Sequence, residues 1–80
     1  MEKYLNSGGN SGVSEFEIGD DYIKVKFENS PKKIYLYTYN SVGKDNIEKM
    51  KKLAEEGRGL NAYINTTNNV KNSYEKIIEE

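Results

Sequence analysis

The sequence predicts an α+β fold, a three-stranded antiparallel meander followed by two or three helices packed on one sheet face. Three observations carry this expectation. Apolar residues alternate with polar ones through Tyr22-Ile23-Lys24-Val25-Lys26-Phe27 and again through Ile34-Tyr35-Leu36-Tyr37-Thr38-Tyr39. Short turn-forming clusters, Gly19-Asp20-Asp21 and Asn29-Ser30-Pro31, separate these runs and leave room only for tight connections. Beyond Asp45 the apolar spacing changes from two to three and four.

Taken in order, residues 1–12 read as a flexible N-terminal arm. Asn6-Ser7-Gly8-Gly9-Asn10-Ser11-Gly12 offers nothing to bury and is linker chemistry. A second reading of that stretch is a loop that orders over a ligand, because glycine amides approach anions closely. A single α+β domain is expected over 13–78. Its first strand begins at Val13, with Phe16 and Ile18 alternating against charged neighbours. In the second strand Ile23, Val25 and Phe27 share one face, and Lys24 and Lys26 take the other. Asp45 and Glu48 have capping-box spacing before a helix with the stripe Ile47, Met50, Leu53 and Ala54. Gly57 is expected to stop that helix in the left-handed conformation. A short segment with Leu60, Tyr63 and Ile64 on one side follows. Thr66 or Thr67 would cap a last helix carrying Val70, Tyr74, Ile77 and Ile78.

Composition limits the chemistry. The chain has 80 residues, no cysteine and no histidine. A domain of this size buries only about 60–65% of its unfolded surface, so its core is thin. Without histidine and cysteine it lacks the commonest ligands for zinc, copper and haem, the usual general base and the thiol nucleophile. A formal net charge of −1 argues against broad phosphate-backbone binding, which needs a basic excess. No apolar run approaches a membrane span and no signal-peptide core is visible, so a cytosolic protein without membrane association is expected.

The run Gly57-Arg58-Gly59-Leu60-Asn61-Ala62-Tyr63-Ile64-Asn65, followed by Val70 and Tyr74, resembles the KTSC domain family. That family is named for the C-terminus of some lysyl-tRNA synthetases and also occurs as short stand-alone bacterial and phage proteins. Upstream, Val25-Lys26-Phe27 and Tyr35-Leu36-Tyr37 agree with its strand pattern, so the resemblance covers residues 13 to 76. Thr66-Thr67-Asn68-Asn69 is longer than the family's usual link, and Asn40-Ser41-Val42-Gly43 lacks the Val-Pro often found there. The resemblance implies a fold. It supplies no activity, and its synthetase association implies RNA or nucleotide contact by analogy alone.

Several groups are candidates for binding. Tyr35, Tyr37 and Tyr39 share one strand face, opposite Ile34 and Leu36. If Ile34 and Leu36 join the core, the tyrosines form an open aromatic row able to stack bases at about 1–3 kcal/mol each. If the tyrosines face the N-terminal arm or the helices, they are half-buried with hydroxyls reaching water. Lys24 and Lys26 would share the tyrosine surface in the first case. Arg58, between Gly57 and Gly59 and just before a helix start, could place a guanidinium beside free amides for a phosphate or carboxylate. Its simpler role is a tight interhelical turn. This is no P-loop, because the motif's lysine and hydroxyl are missing. Asn61 and Asn65 lie one helical turn apart and could read a base edge or pin the local backbone. Asp20-Asp21 reads as turn chemistry, and the Lys49 to Glu56 charges read as a solvated helix face.

The expected function is therefore a non-catalytic binding domain, without cofactor or metal, for an anionic nucleotide-like ligand. In a phage such a domain would sequester a host signal. This reading expects Arg58 and at least one tyrosine in a common pocket, formed between subunits of a homo-oligomer because so small a domain has little interior volume. The alternative is a nucleic-acid- or protein-interaction module with a continuous basic-aromatic surface. An enzyme would have to work with tyrosine, lysine, arginine and carboxylates, and no spacing argues for one.

Overall fold

A computed structural model describes residues 1–5 and 12–79. The elements run β1 (Glu2–Lys3), β2 (Val13–Ile18), β3 (Tyr22–Phe27), β4 (Lys33–Thr38), α1 (Tyr39–Val42), α2 (Lys44–Glu56), α3 (Leu60–Thr66) and β5 (Lys76–Glu79). The α+β class holds, with an antiparallel sheet of five strands in the order β1-β2-β3-β4-β5 rather than three.

The two added strands lie at the sheet's edges, where the sequence signal is weakest. β1 has only two residues, paired as Glu2 with Phe16 and Lys3 with Glu15. Of the expected arm, residues 6–11 lie outside the described residues. Its first residues are anchored: Tyr4 is buried, and its backbone N–H donates to Ser14 O at 2.9 Å. The expected last helix is replaced by turns and β5. Val70 N–H and Lys71 N–H both donate to Thr67 O, and Ser73 N–H donates to Val70 O. The Val70, Tyr74, Ile77, Ile78 spacing fits a helix, but each residue is satisfied without one. Val70 is fully buried, Ile77 pairs with Tyr35 and Ile78 pairs with Ile34. Adjacent isoleucines on opposite faces are strand geometry.

Cross-strand register settles which side of β4 faces inward. Ile23 pairs with Tyr37 and Val25 with Tyr35, so these tyrosines lie on the same face as the core residues of β3. Lys24 pairs with Leu36 and Lys26 with Ile34, placing those residues together on the other face. The open aromatic row therefore does not form. Tyr39 leaves the strand to start α1, whose cap is Thr38: its hydroxyl accepts from Ser41 N–H and Ser41 Oγ accepts from Thr38 N–H. The capping box expected at Asp45 and Glu48 is absent, because Gly43 precedes α2 and gives no side-chain cap. Asp45 sits instead in the first turn, where a carboxylate complements the helix dipole.

The core lies between the inner sheet face and the helices. Ile23, Val25, Phe16 and Tyr37 meet Ile47, Met50 and Ala54 from α2, Leu60 and Ile64 from α3, and Val70 from the turn region. The helical stripes read from the sequence are thus the buried ones, with Leu53 and Tyr63 packed at the margin. Gly57 ends α2 at φ 73°, ψ 24°, donating to Ala54 O and Leu53 O. That left-handed cap is the expected one. Among the described residues no helix is long and apolar enough to cross a membrane.

Candidate functional site

A cleft of about 540 Å³ opens where the β3–β4 turn, α3 and the segment before β5 converge. Its wall of β-sheet comes from Phe27, Tyr35 and Tyr37, its helical wall from Asn61, Ile64 and Asn65, and its third side from Lys71, Asn72 and Tyr74. Glu28, Asn29 and Ser30 form the rim at the β3–β4 turn. The volume falls within the usual span of ligand sites, about 300–1,000 Å³. One chain provides it, so the volume argument for a pocket between subunits does not apply here.

Packing explains why the rings are fixed. Tyr74 meets Tyr35 edge-to-face at 5.1 Å between centroids and Tyr37 at 6.3 Å, and Phe27 meets Tyr35 at 5.2 Å. Perpendicular contacts of this kind are favourable aromatic geometry. They also consume the ring faces, leaving the phenol ends as the polar features of this wall.

Those phenol ends stand apart from the others in the chain. Seven tyrosines are present. Four have hydroxyl partners: Tyr22 donates to Glu17 Oε2 at 3.2 Å, Tyr39 to Glu48 Oε2 at 2.7 Å, Tyr63 to Asn46 Oδ1 at 2.6 Å, and Tyr4 accepts from Leu60 N–H at 3.2 Å. Tyr35, Tyr37 and Tyr74 have none among the described residues, and all three line the cleft. Tyr37 is only 1% exposed. Among the described residues no buried side-chain oxygen or nitrogen is sealed off without a partner, so the Tyr37 hydroxyl opens to the cleft it lines. Burial, with lesser contributions from Tyr35 and Tyr74, pushes its pKa well above the ordinary phenol value, so it stays a hydrogen-bond donor.

Asn65 Nδ2 donates to Asn61 O at 2.9 Å and to Asn61 Oδ1 at 3.1 Å. This is the local pinning role, and it leaves the Asn61 side-chain N–H groups and the Asn65 side-chain carbonyl without a partner among the described residues. Gly12 lies against Asn61; a Cβ there would come within 3.3 Å of Asn61 Oδ1.

The structure thus unites Tyr35, Tyr37, Asn61 and Asn65 and separates them from the other expected site residues. Arg58 is exposed in the α2–α3 turn and does not line the cleft, so the common Arg58–tyrosine pocket is not formed. Its backbone N–H donates to Leu53 O, as a helix-ending turn requires. Gly57 and Gly59 take left-handed conformations in that turn, Gly59 at φ 82°. The amide at the start of α3 is already engaged, because Leu60 N–H donates to the Tyr4 phenol. Tyr39 sits at the far end of β4, its hydroxyl on Glu48 and Lys51 Nζ 5.7 Å from its ring centre. The hydrogen bond to Glu48 raises the Tyr39 pKa and lowers that of Glu48.

Lys24 and Lys26 lie on the outer face among acidic neighbours. Glu17 pairs in register with Lys24, and Glu15 with Lys26. Lys24 Nζ is 3.4 Å from Glu17 Oε2, and hydrogen bonds from Tyr22 and Lys24 hold the Glu17 carboxyl below its usual value. Asp20 and Asp21 are exposed turn residues. Lys51 Nζ donates to Asp20 O at 2.8 Å, and Tyr39 N–H donates to Asp21 O. No cluster of carboxylates suited to a metal occurs among the described residues. Sequence reasoning missed Tyr74, Lys71 and Glu28 as cleft residues, since only the turn that replaces the last helix brings 71–74 over β4.

Comparison with known proteins yields no matching family model, no matching curated protein and no matching solved structure.

Proposed function

We propose that this chain is a non-catalytic binding domain that holds a small, anionic, nucleotide-like ligand in the cleft between β4, α3 and the 71–74 segment. The carrying observation is the convergence of three phenols without hydrogen-bond partners among the described residues, while the other four tyrosines each have one. Tyr37 is buried apart from its opening to the cleft, and a ligand or ordered water there would satisfy its hydroxyl and those of the half-buried Tyr35 and Tyr74. Unused amide groups of Asn61 and Asn65 suit a base or ribose edge, and Lys71 supplies a positive charge. The resemblance to the KTSC domain family is compatible with nucleotide contact but assigns no residue to it.

The nucleic-acid-interaction reading has less support. It needs a continuous basic-aromatic surface, and the tyrosines and the β3 lysines lie on opposite faces of the sheet. Calorimetry against mono-, di- and cyclic nucleotides and short RNA tests the choice, using the parent chain, Tyr37→Phe and Arg58→Ala. Loss of nucleotide binding in Tyr37→Phe, with binding retained in Arg58→Ala, supports the cleft. The reverse pattern moves the site to the α2–α3 turn. Binding of RNA alone favours the interaction module, and no binding at all removes the reading.

A further inference from the structure

We infer that the cleft is built for a ligand with a single phosphate, a nucleoside monophosphate rather than a di- or triphosphate. The inference rests on the proposed nucleotide reading and concerns which member of that class fits. It starts from charge. Among the described residues the cleft is lined by one cation, Lys71, and one carboxylate, Glu28. Neither side chain has an ion-pair partner among the described residues, so they do not neutralise each other. One ammonium can meet one phosphate. Each further phosphate adds negative charge where the only other ionised lining group is already negative.

The remaining polar groups are neutral and numerous. Tyr37, Tyr35 and Tyr74 present donors from the sheet side, and Asn61 and Asn65 present amide groups from α3. Neutral donors and acceptors of this kind read a base and ribose, whose edges are likewise neutral. Lys71 and the Asn61–Asn65 pair come from different walls of the cleft, so charge and polar readout have separate places. Arg58, the strongest phosphate-binding residue type in the chain, is outside. A polyphosphate site would be expected to recruit it or the lysines of α2, and the fold directs these elsewhere.

Calorimetric titration of the full chain with the four common nucleosides, their 5′-monophosphates and their 5′-triphosphates tests this. At least one monophosphate should bind about tenfold or more tightly than its nucleoside, the difference a charge-assisted hydrogen bond provides. The matching triphosphate should bind no more tightly. Lys71→Ala should bring monophosphate affinity down to that of the nucleoside and leave nucleoside affinity unchanged; Arg58→Ala should change neither. Lys71 is exposed, so folding of the variant is expected and is checked by its circular dichroism melt. A triphosphate binding tenfold more tightly than the monophosphate overturns the inference. So does a phosphate preference that survives Lys71→Ala. In both cases, if Tyr37→Phe still abolishes binding, the cleft remains the nucleotide site. Binding of no nucleoside or nucleotide by the parent chain overturns both.

Discussion

Tyrosines within β4 and those at or just past its end are treated in opposite ways. At the C-terminal end, where Thr38 passes into α1, Tyr39 spends its hydroxyl on Glu48, and nearby Tyr22 spends its own on Glu17. Within the strand, Tyr35 and Tyr37 have no hydroxyl partner among the described residues and lie beside Tyr74. The same residue type serves as a surface tether past the strand's end and as an unfilled polar wall within it. Half-exposed phenols at the tethered end meet water or a carboxylate at little cost. The Tyr37 ring is buried and its hydroxyl opens only to the cleft, so whatever occupies the cleft supplies its partner.

The sharpest way to break this comparison is to separate ring from hydroxyl. Tyr37→Ala removes a fully packed ring and should cost about 3–5 kcal/mol in urea denaturation. If it costs much less, the ring is not the keystone of the wall described here. Tyr4→Phe comes next. It strips the acceptor from the buried Leu60 N–H and should cost about 1–3 kcal/mol by the same measurement. A neutral outcome would mean that the N-terminal segment does not hold α3.

Smallest of all should be Tyr37→Phe, within about 0.5 kcal/mol at neutral pH, because no protein hydrogen bond is lost. Its signature should appear only in alkali. The Tyr37 pKa is raised in the folded chain, so its contribution is fully present below the ordinary phenol value of 10.0 and is lost as pH rises past it. Denaturation midpoints from pH 9 to 12 should therefore fall less steeply in Tyr37→Phe than in the parent. Equal slopes would show that burial of the ring does not hold the Tyr37 phenol in its protonated form.

Much of this arrangement was legible in the sequence, and its gaps have physical causes. The Ile23-Val25-Phe27 alternation has one amphipathic solution, as does the Ile47-Met50-Ala54 stripe, so β3 and α2 were readable. In β4 both faces are apolar enough to be buried. Alternation then identifies a strand without choosing its inner face, and pairing with β3 makes the choice. The 70–78 region fails for a related reason. Ile77 and Ile78 satisfy a helical stripe and a short edge strand equally, and only Tyr35 and Ile34 across the ladder decide. Four cleft residues, Tyr35, Tyr37, Asn61 and Asn65, were among the sequence candidates. Arg58 was the leading one, and it drew attention to a turn whose glycines answer to helix termination.

The strand order bears on how the cleft comes into being. β2, β3 and β4 follow one another through short connections, whereas β5 reaches β4 only after all three helices have intervened. Tyr74 sits on the approach to that last pairing, directly before Glu75, whose N–H donates to Leu36 O at 2.6 Å. Closing so distant a contact carries the larger entropic cost and tends to come late in folding. The third wall of the cleft therefore depends on a four-residue edge strand paired on one side only. Hydrogen exchange should find the β5 amides less protected than those of β3, and a ligand bridging Tyr74 to β4 would act as a clasp on that edge.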